Sequence, residues 1–205
     1  MTDGISGRAV ALVPVKRLEL AKSRLAPLLS SAARRHLQEA MLAHVLGELA
    51  SAPGLDGAAV VTSDIDAASI ADRFAARLVP DTSDELNAAL SAAISCLVAD
   101  GAAVVVIVPA DLPELTAADV GRAVAEVRRT GATLVVPDAE ARGTNGLVFP
   151  ARSLPNLSFG PGSFHRHLAE PGARPFPLPS FARDLDRPDD LAALRPALSC
   201  LEALS

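Results

Sequence analysis

Three polar clusters each follow an apolar run, and their residue types suit phosphate chemistry. The first is basic: Pro14-Val15-Lys16, then Lys22-Ser23-Arg24. A nucleoside triphosphate carries about four negative charges near neutral pH, and cations beside a sheet edge offset charge that water no longer screens. Lys16, Lys22 and Arg24 can supply those cations; a solvated basic loop is the plainer use of the same residues. The second cluster is Pro109-Ala110-Asp111-Leu112-Pro113, in which prolines stiffen the chain around one carboxylate. Asp111 there suits Mg²⁺, which takes oxygen ligands and phosphate partners, although an Asp in such a segment also serves as turn former or helix cap. The third is Asp184-Leu185-Asp186-Arg187-Pro188-Asp189-Asp190. In extended chain Asp184 and Asp186 point to one side, so either can complete a metal site with Asp111. Asp186 can also cap a helix opened by Pro188, with Asp189 and Asp190 complementing its dipole.

Two glycine-containing stretches add to these: Gly143-Thr144-Asn145-Gly146, and Phe159-Gly160-Pro161-Gly162-Ser163-Phe164. The second reads as a loop delivering a short helix. The N–H groups at that helix start and the Ser163 hydroxyl would make an anion site, the alternative being a simple capped turn. Asn87 opens another helix, where its amide can contact a base or ribose, or bond to backbone. His36, His44, His165 and His167 have no carboxylate or Cys arrangement of ligand type and read as structural or solvent-facing. Neither GxxxxGK[ST] nor a GxGxxG after the first strand is present, and no Ser-His-Asp or Cys-His set is apparent.

Elements that position these clusters follow from hydrophobic pattern. Strands are predicted over 9–15, 57–62, 77–79, 102–108, 132–137 and 146–149, and helices over about 30–50, 66–74, 86–99, 116–129, 163–169 and from about 188. The run AAVVVIV at 102–108 has the continuous β-branched character of a central parallel strand. Alternating strands and helices imply βαβ units, a mostly parallel sheet and helices on both faces. Ligands then bind outside the carboxyl ends of the strands, where the polar clusters lie. The 205 residues fit one domain spanning 1–205. With six Phe, no Trp and no Tyr, the core must be aliphatic, and base-stacking platforms are lacking. A net charge of −5 without a long basic tract speaks against nucleic acid as a partner. Cys96 and Cys200 are far apart and read as buried free thiols. No signal-like segment or membrane-length apolar run of roughly 20 residues is present, so a cytoplasmic location without membrane contact is expected.

Taken together and in order, PVK with AKSRLAP (14–16, 21–27), LNAAL (86–90), PADLP (109–113), PDA with GTNGL (137–139, 143–147), FGPGSF with His167, and DLDRPDDL (184–191) resemble the guanylyltransferases of coenzyme F-420 biosynthesis, from about residue 10 to 191. The resemblance implies a GT-A-like, Rossmann-like nucleotidyltransferase fold. It also implies GTP and Mg²⁺, and transfer of GMP to phosphoenolpyruvate, 2-phospho-L-lactate or 3-phospho-D-glycerate with release of pyrophosphate. Among the three acids, the Ala-, Arg- and Leu-rich composition favours phosphoenolpyruvate. By motif, Thr144, Gly160 and Ser163 would hold the phosphorylated acid. Asp111 with Asp184 or Asp186 would hold the metal, and the first loop (Pro14, Lys16, Lys22, Arg24), together with Asn87, the nucleotide. Lys16, Lys22, Arg24 and Asp111 would be the catalytic set. One departure is that Asp81-Thr82-Ser83-Asp84-Glu85 stands where the family often has a glycine-rich stretch before LNAAL. The rival expectations are a sugar-phosphate or cytidylyl transferase of the same fold, and a non-catalytic nucleotide-binding module. A homodimer is left open.

Overall fold

The computed structural model describes residues 4–16, 18, 22–83 and 85–193. Seven strands, β1 (Arg8–Pro14), β2 (Gly57–Thr62), β3 (Arg77–Pro80), β4 (Ala102–Ile107), β5 (Thr133–Pro137), β6 (Thr144–Pro150) and β7 (Ala173–Pro175), form one sheet in the order β3-β2-β1-β4-β6-β5-β7. All neighbours pair in parallel except β6, which runs antiparallel to both β4 and β5. Among the described residues the α-helices are α1 (Ser31–Ala50), α2 (Ile65–Arg73), α3 (Leu86–Ala99), α4 (Ala117–Thr130), α5 (Ser163–Leu168) and α6 (Pro188–Ala193), beside short 3-10 turns.

Strand alternation assigns two cores. Ala9, Ala11 and Val13 of β1 face a layer built by α1, α2 and α4, whereas Val10 and Leu12 face α3 and, further along, Phe164 of α5. Helices therefore cover both faces. The helix starts follow capping chemistry: Ser30 accepts from Ala33 N–H, Asp64 from Asp66 and Ala67 N–H, and Thr116 from Asp119 N–H. Among the described residues no helix is long and apolar enough to cross a membrane.

Three expectations are corrected. β7 lies in the Pro-rich last quarter, where pattern reading finds no strand; it is three residues long and sits at the sheet edge, which tolerates Pro175. β6 begins at Thr144 rather than Gly146 because pairing with β5 extends it past its apolar run. Cys96 is exposed on α3, not buried, and Cys200 lies outside the described residues.

Candidate active site

The strand order reverses between β1 and β4, and in open α/β sheets ligands bind at such a point, outside the carboxyl ends of the parallel strands. The basic loop leaves β1 and Asp111 follows β4, so chain topology alone brings the first two polar clusters together. Val108 N–H donates to Leu12 O (3.1 Å), which keeps the segment leading to Asp111 against β1. Lys22 Nζ then donates to Asp111 Oδ2 at 2.6 Å and stands 3.9 Å from Asp186 Oδ1, while Arg24 pairs with the other oxygen of Asp186. Lys22 is 8% exposed and holds a left-handed backbone (φ +57°), a conformation that costs a non-glycine residue energy and persists only where surroundings enforce it. Pro14 ends β1 half-buried, and Lys16 lies just beyond it on the same edge, exposed.

A small apolar cluster fixes this geometry. Leu25, Met41 and Leu185 are buried together, with Leu29, Leu37 and Leu191 packed around them. Leu25 adjoins Arg24, and Leu185 separates the two tail aspartates. Leu185 N–H also donates to Asp111 O (3.1 Å), so the tail runs alongside the Asp111 loop. With the Leu185 side chain anchored, Asp184 and Asp186 face the other way, toward the charges. Leu185→Ala is expected to lower unfolding free energy by about 2–4 kcal/mol, measured by urea denaturation, and to cut turnover further by loosening both aspartates.

Asp184 completes the cluster. Burial pushes its carboxyl above the ordinary range and the neighbouring Asp111 charge adds to this, while a hydrogen bond from the Asn145 side chain and the Lys22 charge act in the opposite sense. Three carboxylates thus share one ammonium. Among the described residues no three His, Cys, Asp or Glu side chains are grouped so as to hold a metal ion, and Lys22 lies against Asp111 and near Asp186.

Antiparallel β6 starts, rather than ends, at this carboxyl edge. Its register against β5 runs Val136↔Gly146 and then Pro137↔Thr144, so Asn145 is an extra residue, a β-bulge. The bulge reverses the alternation that Leu147 and Phe149 follow. Asn145 turns toward Phe181, donating to its carbonyl (2.9 Å), and toward Asp184. Thr144 turns toward α5: its N–H donates to Ser163 Oγ (3.0 Å) and its hydroxyl lies 2.9 Å from His167 Nδ1.

The loop before α5 is pinned by side chains. Asn87 accepts from Phe159 N–H (2.8 Å) and donates to Phe159 O (3.3 Å). Arg166 donates to Pro161 O and Ser158 O, and Ser158 N–H donates to His167 Nε2 (3.0 Å). Gly160 (φ +121°) and Gly162 (φ +74°) supply the turns. Of the two uses the sequence leaves open for Asn87, the structure displays the backbone contact, by which its amide positions the Phe159 loop. The helix start is also corrected. Ser163 N–H donates to Gly160 O and Phe164 N–H to Arg142 O, so these backbone donors are engaged and the side-chain hydroxyls remain as the polar groups of the cradle.

His167 is fully buried, with the Phe159 ring edge-on at 4.8 Å. His36 and His165 are exposed, whereas His167 is buried and hydrogen-bonded through both ring nitrogens. Its position four residues after Ser163 on one helix is the signal that places both on a single face. Burial, reinforced by the Arg166 charge, lowers its pKa to about 4, so the ring is neutral at neutral pH. The unfolded chain binds a proton near pH 6.5 that the folded ring takes up only near 4. Stability therefore declines as pH falls through that window, by up to roughly 3 kcal/mol from this group. Denaturation at pH 7 and pH 4.5 should show a smaller loss in His167→Asn than in the parent protein.

Comparison with known proteins follows the same layout. Residues 9–191 match the family described as guanylyl transferase CofC like. The phosphoenolpyruvate guanylyltransferase of Chloroflexus aggregans is 35% identical over 198 residues, covering 90% of this chain and 98% of that protein. The phosphoenolpyruvate guanylyltransferase of Rubrobacter xylanophilus is 39% identical over 191 residues, covering 90% and 92%. Among solved structures, a protein assigned as a nucleotide-diphospho-sugar transferase from Desulfovibrio desulfuricans superposes with a TM-score of 0.74 at 16% identity, covering 96% of each chain. A 4-diphosphocytidyl-2C-methyl-D-erythritol synthase gives 0.67 at 15% identity, covering 94% of this chain and 100% of that one. At such identities the structures attest the fold: that of nucleotidyltransferases.

Proposed function

Because the chain belongs to the CofC-like guanylyl transferase family, and so is a nucleotidyltransferase, we propose that it transfers GMP from GTP to phosphoenolpyruvate and releases pyrophosphate. Phosphoenolpyruvate is preferred to 2-phospho-L-lactate and 3-phospho-D-glycerate because the curated relatives carry its name. The observation that carries the reading is the meeting of Lys22, Arg24, Asp111, Asp184 and Asp186 at the switch point of the sheet, beside the Thr144–Ser163 cradle.

In this reading a phosphate oxygen of the acid attacks the α-phosphorus of GTP in line, the bond to the β-phosphate bridging oxygen breaks, and a phosphoanhydride to GMP forms. The attacking oxygen is already anionic, so the protein need not remove a proton. Its work is positioning and charge neutralisation. Thr144, Gly160 and Ser163 orient the acid. Lys16, Lys22 and Arg24 face the triphosphate, and Pro14 bounds the nucleotide at the end of β1.

Mg²⁺ fits the donor set. The ion takes one or two carboxylates and completes its shell with substrate phosphates and water, and Asp111 with Asp184 or Asp186 offers hard oxygens. When bound, the ion would withdraw charge from the phosphates at the reacting centre.

The test is incubation of the protein with GTP and each of the three acids, following pyrophosphate and the mass of the GMP adduct. Adduct with phosphoenolpyruvate is expected. Strict use of CTP or UTP with a sugar phosphate, or GTP binding without turnover on any acid, would refute the proposal.

A further inference from the structure

We propose that His167 is a positioning residue for the acceptor cradle: it fills one lone pair of the Thr144 hydroxyl, so that Thr144, like Ser163 beside it, turns its proton toward the ligand. The inference rests on the reading that this cradle receives the phosphorylated acid. It goes further by naming what the cradle selects: oxygens that are fully ionised.

The chain of reasoning starts at a backbone group. Ser158 N–H is a donor that cannot be turned into an acceptor, and it points at His167 Nε2 (3.0 Å). That nitrogen must therefore present its lone pair. In a neutral imidazole the proton then sits on Nδ1, which lies 2.9 Å from Thr144 Oγ1. His167 thus donates into the Thr144 hydroxyl, whose own proton is directed elsewhere. Ser163 is set by the same logic, since its Oγ accepts from Thr144 N–H at 3.0 Å. Among the described residues neither hydroxyl proton meets a protein acceptor, although Thr144 and Ser163 are 7% and 2% exposed. The Thr144 proton is thus aimed by a relay running from Ser158 through His167, each link strengthening the next in a low-dielectric surround, while the Ser163 proton is aimed separately by the Thr144 N–H.

Carboxylate and phosphate oxygens only accept, and match this polarity. The O–H of a protonated acid or an amide NH₂ would bring a donor against a donor, and an alcohol oxygen would accept more weakly than an anionic one. An ester would offer weaker acceptors. Buried groups left unpaired in this way discriminate strongly against the wrong ligand. The packing around His167 keeps the relay in register: Phe159 lies edge-on to the ring, and Asn87 and Arg166 fix the loop that carries Ser158.

Three variants and one spectrum test this. His167→Leu removes both hydrogen bonds; His167→Asn places an amide N–H where Nδ1 stood and keeps the donation to Thr144. His167→Leu should raise KM for phosphoenolpyruvate about tenfold or more with KM for GTP little changed, and His167→Asn should restore most of the loss. In a Thr144→Val background His167→Leu should add little. An equal effect in both backgrounds, parallel rises in both KM values, or failure of His167→Asn to rescue would overturn the proposal. If Thr144→Val alone leaves KM for the acid unchanged, the cradle assignment itself fails and this inference falls with it. The spectrum needs no variant: nitrogen-15 NMR of the parent protein should report the Nδ1-protonated tautomer of His167, and an Nε2-protonated ring would refute the relay directly.

Discussion

Asp111→Asn is expected to reduce pyrophosphate release from GTP by about 10³-fold while leaving the fold intact. The substitution keeps the shape of the side chain and removes one charge. That carboxylate receives Lys22 at 2.6 Å, and the backbone behind it accepts from Leu185 N–H. Neither the backbone bond nor the apolar anchor of the tail involves the missing charge, and Asp186 remains near Lys22. Circular dichroism and the unfolding temperature should therefore change little as kcat collapses. A variant turning over at near-parental rate would remove Asp111 from the reaction and leave the proposed centre without its middle carboxylate.

Lys22→Met should produce two effects of opposite sign. Turnover falls about 10²–10³-fold, because a cation that would face the phosphates is lost. Affinity of the nucleotide-free protein for Mg²⁺ or Mn²⁺ rises, because the ammonium that stands among Asp111, Asp184 and Asp186 no longer competes with the ion. One charge near 4 Å is worth about 4 kcal/mol at an effective dielectric of 20, so even after screening a tenfold gain in metal affinity is reasonable. Met retains the stem length and makes the same left-handed demand on the backbone (φ +57°), which separates the charge from the strain. Isothermal titration with the metal alone, beside steady-state kinetics, gives both readings. A fall in metal affinity would mean that Lys22 supports the carboxylates rather than occupying their centre.

The sheet and its two helical layers were legible because they depend on short-range pattern. The run at residues 102–107 reads as a buried central strand and is one, and Ser30 and Thr116 announce the helices they cap. The meeting of Asp111 with Asp186 was legible from topology, since loops after parallel strands share one edge, and from the alternation of Asp184 and Asp186. What escaped were features decided by partners distant in sequence. Asn145 is an ordinary turn-former by type; only the register of β6 against β5 makes it a bulge that reaches Asp184. Asn87 opens a helix at a sheet edge, and nothing local reveals that Phe159, 72 residues on, takes both ends of its amide. His167 looked inert because it and His165 point apart on one helix and cannot pair on a metal, whereas its partners are a hydroxyl and a backbone N–H.

The extra residue in β6 has an implication for how this site can change. Thr144 and Asn145 are consecutive, yet one faces Ser163 and His167 and the other Asp184, so a single peptide unit joins the two proposed half-sites. Point substitutions on either side can adjust one half alone. A one-residue deletion or insertion between 143 and 146 cannot, because it would swap the faces to which both side chains project. Length in this stretch should accordingly be far less tolerant than composition, and libraries aimed at new acceptors would do well to vary side chains there at constant spacing.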